Sequence, residues 1–387
     1  MTKLPDQGIN MQSRLISIDA LRAVIMVLMI FVNDLWSLVN IPDWLGHVSA
    51  DTDGMGLADI VFPAFLFIVG LSIPYAIRSR KNKGHSTLKI FFHITERTVA
   101  LLIMGVFLVN TESYAQDALL LPQVWMILLI LAFFLIWMDY KDPSRLLVRI
   151  LRGAGILLLI VLALVYKSNE AIGPTAMKTH WWGILGLIGW AYFISSCVFL
   201  FSKGKLLVQI LAFLILLALC SAASLDWQTP NGGIPAFSMA GVVASLCYRQ
   251  LTPRNKYFWI SLSFFAIILI LFGLLTRPLW GISKIHETPS WVGICSGVSI
   301  ICFLLLVFIM DIKGKTAWYK PIKPAGTSTL TAYLLPYIHY AILGIFSLQL
   351  PVLLRTGALG LGKSLLYALL IVIITGLLEK KNLRLKI

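Results

Sequence analysis

Residues 20–39 read ALRAVIMVLMIFVNDLWSLV, an apolar run with Arg22 near its start and Asn33-Asp34 near its end. A helix rises 1.5 Å per residue, so about 20 apolar residues cross a hydrocarbon layer of roughly 30 Å. Comparable runs recur at about 58–77, 91–110, 120–138, 149–166, 181–201, 206–224, 235–250, 257–275, 291–310, 327–347 and 360–378. Of the 387 residues, 59% are hydrophobic and 13% charged, too little charge to cover a soluble domain of this size. The pattern predicts an all-α polytopic membrane protein of about twelve transmembrane helices, with no sizeable soluble domain. Residues 1–17 are polar, and the first apolar run is long and lacks a small-residue cleavage pattern. It therefore reads as a permanent span rather than a signal peptide.

The net charge of +15 is explained by sidedness, not by a nucleic-acid partner. If the N-terminus is cytoplasmic, 26 of the 32 Lys and Arg residues fall on the cytoplasmic side. The other six are Lys167, Lys178, Arg277, Lys284, Arg355 and Lys363. The positive-inside rule then places both termini in the cytoplasm, as an even number of spans requires. The opposite face is rich in Asp, Gly, Pro and Trp, notably in the loops at 226–233 and 277–290, and resembles the lining of a site.

Ionisable groups at membrane depth are expensive and are functional candidates by default. Asp19 and Arg22, three residues apart at the start of the first run, can pair across one helix face. Asn33 needs partners in an apolar setting, whereas Asp34 is expected at the interface. From 34 to 59 the chain carries five of its seventeen acids together with His47. Gly54 and Gly56 suit a tight turn there, and Pro63 follows Asp59 by four residues. A histidine beside carboxylates is tunable across neutral pH, and Asp59 or Asp51 could fix its tautomer. The five cysteines all lie in apolar runs, with no C-x-x-C and no Cys/His cluster, so no metal is implied.

The block RLISIDALRAVIMVLMIFVND (residues 14–34), followed by Gly46-His47 and LADIVFPAFLFIVG (57–70), resembles the start of the catalytic domain of the heparan-alpha-glucosaminide N-acetyltransferase family. LPQVW (121–125), TPNGG (229–233), GISKIHETPSW (281–291), MDIKG (310–314), PAGTSTLTAY (324–333) and the basic tail follow in the same order. The likeness implies a single transmembrane acyltransferase domain over 1–387. Residues 14–110 carry its signature, and 167–224 form a two-helix insertion. No counterpart of the family's large external N-terminal domain is expected.

What the resemblance implies is N-acetyl transfer from cytoplasmic acetyl-CoA to an extracytoplasmic glucosamine-type sugar or glycan, with Asn33 and His47 at the positions held to be catalytic. Histidine is then the base, or attacks the thioester itself. Asn33 donates to the oxyanion and Asp59 orients the imidazole. Arg22, Arg97 and Lys284 are the candidates for the donor's phosphates. Asp51, Asn231 and His286 are those for the acceptor. A bilayer, and possible homodimer formation, complete the expected partners, and a bacterial inner membrane is the expected location. Two readings stay open beside this one: a small-solute transporter, and an O-acyltransferase of surface polysaccharide.

Overall fold

The computed structural model describes residues 15–169, 175–224 and 231–387. Their regular structure is helical, with three isolated β-bridges and no β-strand. The long helices are α1 (Ile16–Asp34), α2 (Leu57–Asn82), α3 (Thr87–Val109), α4 (Pro122–Trp137), α5 (Leu146–Leu164), α6 (Gly183–Phe201), α7 (Leu206–Ala223), α8 (Gly233–Leu251), α9 (Lys256–Trp280) and α10 (Pro289–Leu306). The one-turn α11 (Lys323–Thr327) leads into α12 (Thr329–Ile345), and α13 (Gly357–Lys380) closes the bundle.

Each apolar run of the sequence falls on one of the long helices. Among the described residues, nine are long and apolar enough to cross a membrane. Two more, α4 and α12, are apolar but shorter. Helix α8 differs in kind: it is rich in small and polar residues and is buried without a break from Gly233 to Leu246. A helix enclosed by other helices need offer no apolar stripe to lipid. It runs so close to α2 that a Cβ on Gly241 would lie 2.0 Å from the Phe67 carbonyl oxygen. Glycine there is what permits the approach.

Helices α1, α2, α8 and α10 form the core. By contrast α5, α7 and α9 pack on α4, α8 and α10, with much of their apolar surface outward. Below α10 the backbone widens into a π-turn at Val307–Ile312. That turn sets Asp311 to accept from Ser17 Oγ (2.7 Å) and Tyr248 Oη (3.0 Å), tying α1, α8 and α10 together.

Candidate active site

The site begins at the N-terminus of α2. Gly56 caps the helix, and Asp59 stands in its first turn. Carboxylates are favoured there by the helix dipole and the orphan N–H groups. Asp59 Oδ2 accepts from the backbone N–H groups of Gly56 (3.0 Å) and Val48 (3.1 Å). That leaves Oδ1 for His47 Nδ1, at 2.7 Å. A Cβ on Gly56 would meet the Gly46 carbonyl at 2.0 Å, so only glycine lets the 46–48 loop lie directly on the helix start. The Asp59 side chain is 2% exposed and that of His47 52% exposed. A carboxylate only accepts, so Nδ1 carries the hydrogen and the outward Nε2 keeps its lone pair. Trp291, fully buried on α10, donates Nε1–H to the Asp59 carbonyl at 3.0 Å and fixes this turn to the core.

A second loop, between α9 and α10, brings in Lys284. Asp53 holds it: Oδ2 accepts from Arg277 Nε at 2.9 Å and Oδ1 from the Ile282 N–H at 2.7 Å. The Arg277 hydrogen bond, then the Ile282 one, keep the Asp53 carboxyl below the usual carboxylate range. Lys284 Nζ consequently lies 3.7 Å from Asp59 Oδ1 and 3.2 Å from His47 Nδ1. Burial pushes the Lys284 ammonium below the ordinary lysine value, and Asp59 pulls it part of the way back.

His47 opens onto a cavity of about 490 Å³ that also takes in Asn33, Trp36, Tyr333, Tyr337 and Tyr340. The Asn33 amide makes no hydrogen bond among the described residues, so its N–H groups are available to a ligand. A second cavity of about 300 Å³ adjoins it and is lined by Arg22, Ser72, Arg97, Tyr192 and the tail residues 385–387. Met29, Ile184 and Tyr333 line both. Arg22, Met26, Met29 and Asn33 follow one another at helical spacing along α1, so the two cavities share one helix face. The eleven residues from Arg22 to Asn33 correspond to about 16 Å of axial rise.

Within the second cavity, Arg22 Nη2 donates to Ser72 Oγ (2.6 Å) and Nη1 to Asp19 Oδ1 (3.1 Å), the expected i, i+3 pair. The Arg97 guanidinium stacks on Tyr192 at 4.7 Å; it has no carboxylate partner among the described residues, and its Nε is buried without a hydrogen bond. The tail is pinned beside it by Arg384 and Lys386, both bonded to Asp139. Burial opposes the Asp139 carboxylate, but those two cations outweigh it and hold its carboxyl below the ordinary range.

Residues 14–250 match a family described as "Domain of unknown function (DUF5009)". The chain belongs to this family. Over 157 residues this DUF5009 chain is 30% identical to the mouse heparan-alpha-glucosaminide N-acetyltransferase, covering 37% of this chain and 22% of the relative. The human enzyme of that name is 34% identical over 101 residues, 25% of this chain and 14% of the relative. The chain thus spans less than a quarter of the length of the curated relatives it matches, and the resemblance read from the sequence is borne out over that part.

In this DUF5009 member, the expected residues divide. Asn33 and His47 line one cavity, with Asp59 buried behind the imidazole, and Arg22 and Arg97 line the next. Lys284 stands with His47 and Asp59 and not with the two arginines. Asp51 is exposed on a turn, and the loop is held by Asp53 instead. The Asn231 side chain is spent on the α8 start, accepting from the Gly233 N–H at 2.8 Å. His286 is exposed, and neither it nor Asn231 lines either cavity. Arg14 and residues 226–230 of the external loop lie outside the described residues.

Asp34, expected at the interface, is buried (3%) inside the bundle, where Lys363 Nζ (2.6 Å), Ser364 Oγ (2.5 Å) and Tyr340 Oη (2.5 Å) satisfy it. No local signal in the sequence pairs Asp34 with residues more than 300 positions away. Among the described residues, no group of His, Cys, Asp and Glu could hold a metal ion.

Proposed function

We propose that this protein is a membrane N-acetyltransferase that takes acetyl-CoA from the cytoplasm and acetylates the amine of a glucosamine-type sugar on the far side. The observation that carries the reading is the pair of adjoining cavities along one face of α1: cationic at Arg22 and Arg97, and holding Asn33 and His47 at the other end. In this reading all twelve long helices cross the bilayer, both termini are cytoplasmic, and the chain is one acyltransferase domain.

Arg97, with no carboxylate partner among the described residues, meets the donor's phosphates, helped by Arg22 and Lys386. The pantetheine arm passes between Met29, Ile184 and Tyr333 toward Asn33. His47 Nε2 takes the proton of the acceptor ammonium, and Asp59 stabilises the imidazolium that results. As the amine nitrogen bonds to the acetyl carbon, Asn33 donates to the oxyanion. The C–S bond then breaks, the proton on Nε2 goes to the departing thiolate, and the second proton of the former ammonium leaves the amide nitrogen to water. Lys284 balances the Asp59 charge between turnovers.

The test is transfer from radiolabelled acetyl-CoA by purified protein, with and without glucosamine or a glucosamine-ended heparin fragment. Acceptor-dependent labelled amide from the wild type, abolished in His47→Ala, supports the reading. Label held on the protein without acceptor makes Nε2 the nucleophile instead of the base. If no hydrolysis, labelling or transfer occurs across a panel of amino sugars, and acetyl-CoA gives no thermal stabilisation, the reading is wrong. Solute uptake by proteoliposomes then becomes the assay. An ester product in place of an amide assigns the chain to O-acyl transfer.

A further inference from the structure

A larger chamber of about 1230 Å³ lies between α12, α13 and the segment joining them, on the other side of Trp36 and Tyr340 from His47. Its two halves differ chemically. The half next to α1 is polar: Asp34, Lys363, Tyr340, Tyr367, His339 and Arg355. Asp34 and Lys363 cancel each other at 2.6 Å, which leaves Arg355 as the cation in excess. Arg355 Nε and His339 Nδ1 are buried with no hydrogen-bond partner among the described residues. The other half is leucine: Leu348, Leu350, Leu359, Leu366 and Leu370 line it and are also exposed on the protein surface. The connection from α12 to α13 carries further exposed apolar side chains, Phe346, Val352 and Leu353. Such a connection is at home in the bilayer interface, so the chamber opens sideways to lipid.

We infer that this chamber receives the acceptor as an amphiphile, a lipid-linked amino sugar, with its chain among the leucines and its sugar head against Trp36 and Tyr340. The inference rests on the acetyltransferase reading and names its substrate class. Aromatic faces suit the C–H surface of a sugar ring, and unpartnered buried donors suit its hydroxyls. Trp36 and Tyr340 form the wall shared with the His47 cavity, so a head seated there is divided from that cavity by these two rings. Adjacent residues of α1 divide the work: Asn33 lines the catalytic cavity and Asp34 the chamber.

Gly362 supplies the test. It lines the chamber, and a Cβ built on it meets nothing within 4 Å, so Gly362→Phe adds bulk at the chamber wall from an unobstructed Cβ. In nanodiscs, kcat/KM is measured for methyl glucosaminide and dodecyl glucosaminide, which share a head and differ in tail. Burial of even two methylenes corresponds to about tenfold in affinity. The wild type is expected to prefer the dodecyl compound by at least about tenfold. Partition into the bilayer favours that compound for any enzyme, so the decisive quantity is the change in the ratio. Gly362→Phe should collapse the dodecyl-to-methyl preference. An unchanged ratio overturns the inference.

A parallel arm measures saturable binding of labelled dodecyl glucosaminide above empty nanodiscs, without acetyl-CoA. Binding lost in Gly362→Phe supports the chamber even where no acetyl transfer occurs, a result that would sink the transfer reading alone. Transfer to methyl glucosaminide with no saturable binding of the dodecyl compound sinks the chamber alone. Competition by phosphatidylglycerol as strong as by the glucosaminide overturns the choice of a sugar head.

Discussion

Asp59→Asn isolates the orientation of His47, the base of the proposed reaction, from everything else in the site. The carboxylate serves four donors: the Val48 and Gly56 N–H groups on Oδ2, and His47 Nδ1 and Lys284 on Oδ1. The amide replaces one oxygen with NH₂, so one of those sides must face a donor. If the NH₂ faces Val48 and Gly56, two buried N–H groups lose their acceptor, at about 1–3 kcal/mol each. If it faces His47, the imidazole can shift its hydrogen to Nε2 and accept from the amide through Nδ1. The second arrangement is the cheaper one and is expected. It keeps the helix start intact and costs stability mainly through Lys284, which loses its carboxylate. With the ammonium 27% exposed, that loss is about 1 kcal/mol. The catalytic loss is far larger, because Nε2 then bears a hydrogen where a lone pair is required. A general base contributes about 10²–10⁴-fold, and the same Asp-to-Asn change in serine proteases costs about 10⁴ through the wrong tautomer. The assay is transfer of labelled acetyl with the thermal midpoint measured beside it. A fall in kcat of at least about 10², an unchanged KM for acetyl-CoA and a small loss of stability are expected. A folded variant whose kcat stays within about threefold of wild type would refute the argument that Asp59 sets the tautomer.

Three further outcomes follow from other parts of the structure. Arg97→Ala should raise the KM for acetyl-CoA by about tenfold to a hundredfold, the worth of one charged hydrogen bond, with kcat little changed; Arg97→Lys should recover part of it in the same initial-rate assay. Burial raises the Glu287 carboxyl from 4.5 to about 7. The folded chain therefore binds more protons than the unfolded one between those values, so stability is full below about pH 4.5 and lost as pH rises toward 7, by at most about 3 kcal/mol. Thermal scans should show that decline for the wild type and a flatter profile, with greater stability at pH 7, for Glu287→Gln. Asp139→Ala should release the tail, lowering stability by about 1 kcal/mol and raising the KM for acetyl-CoA as Lys386 leaves the cavity.

Helices were legible in the sequence because each apolar run had to be long enough for the bilayer, and length is a local property. The site was legible where its residues were close in sequence. His47, Gly56 and Asp59 form one turn-and-cap unit, so their neighbourhood in the chain is their neighbourhood in space. Asp51 was a reasonable alternative partner on the same grounds, and only the backbone of the 46–48 loop, lying on Gly56, selects Asp59. Asn231 has a polar side chain on the expected face, yet spends it on the α8 start, which no pattern of residue types distinguishes from ligand binding. What could not be read was long-range pairing. Lys363 counted as one cation among six on the outer side, and Tyr340 was one of three tyrosines in α12. Their joint grip on Asp34 arises only when α1, α12 and α13 pack together.

That grip explains why α1 can carry two neighbouring polar residues with opposite fates. Successive residues on a helix point about 100° apart, so Asn33 and Asp34 cannot face the same space. A buried carboxylate without a cation would cost several kcal/mol, and Lys363 removes that cost by holding Asp34 to α13. The anchored Asp34 in turn fixes the rotation of α1 about its axis. With that rotation set, Asn33, Met29, Met26 and Arg22 are turned together toward the two cavities. The ion pair is thus a register device for the helix, and it acts at a distance from the bonds that the proposed reaction makes and breaks. Loss of Lys363 should consequently disturb the Asn33 face and the Arg22 face at once, although the side chain itself lines neither cavity.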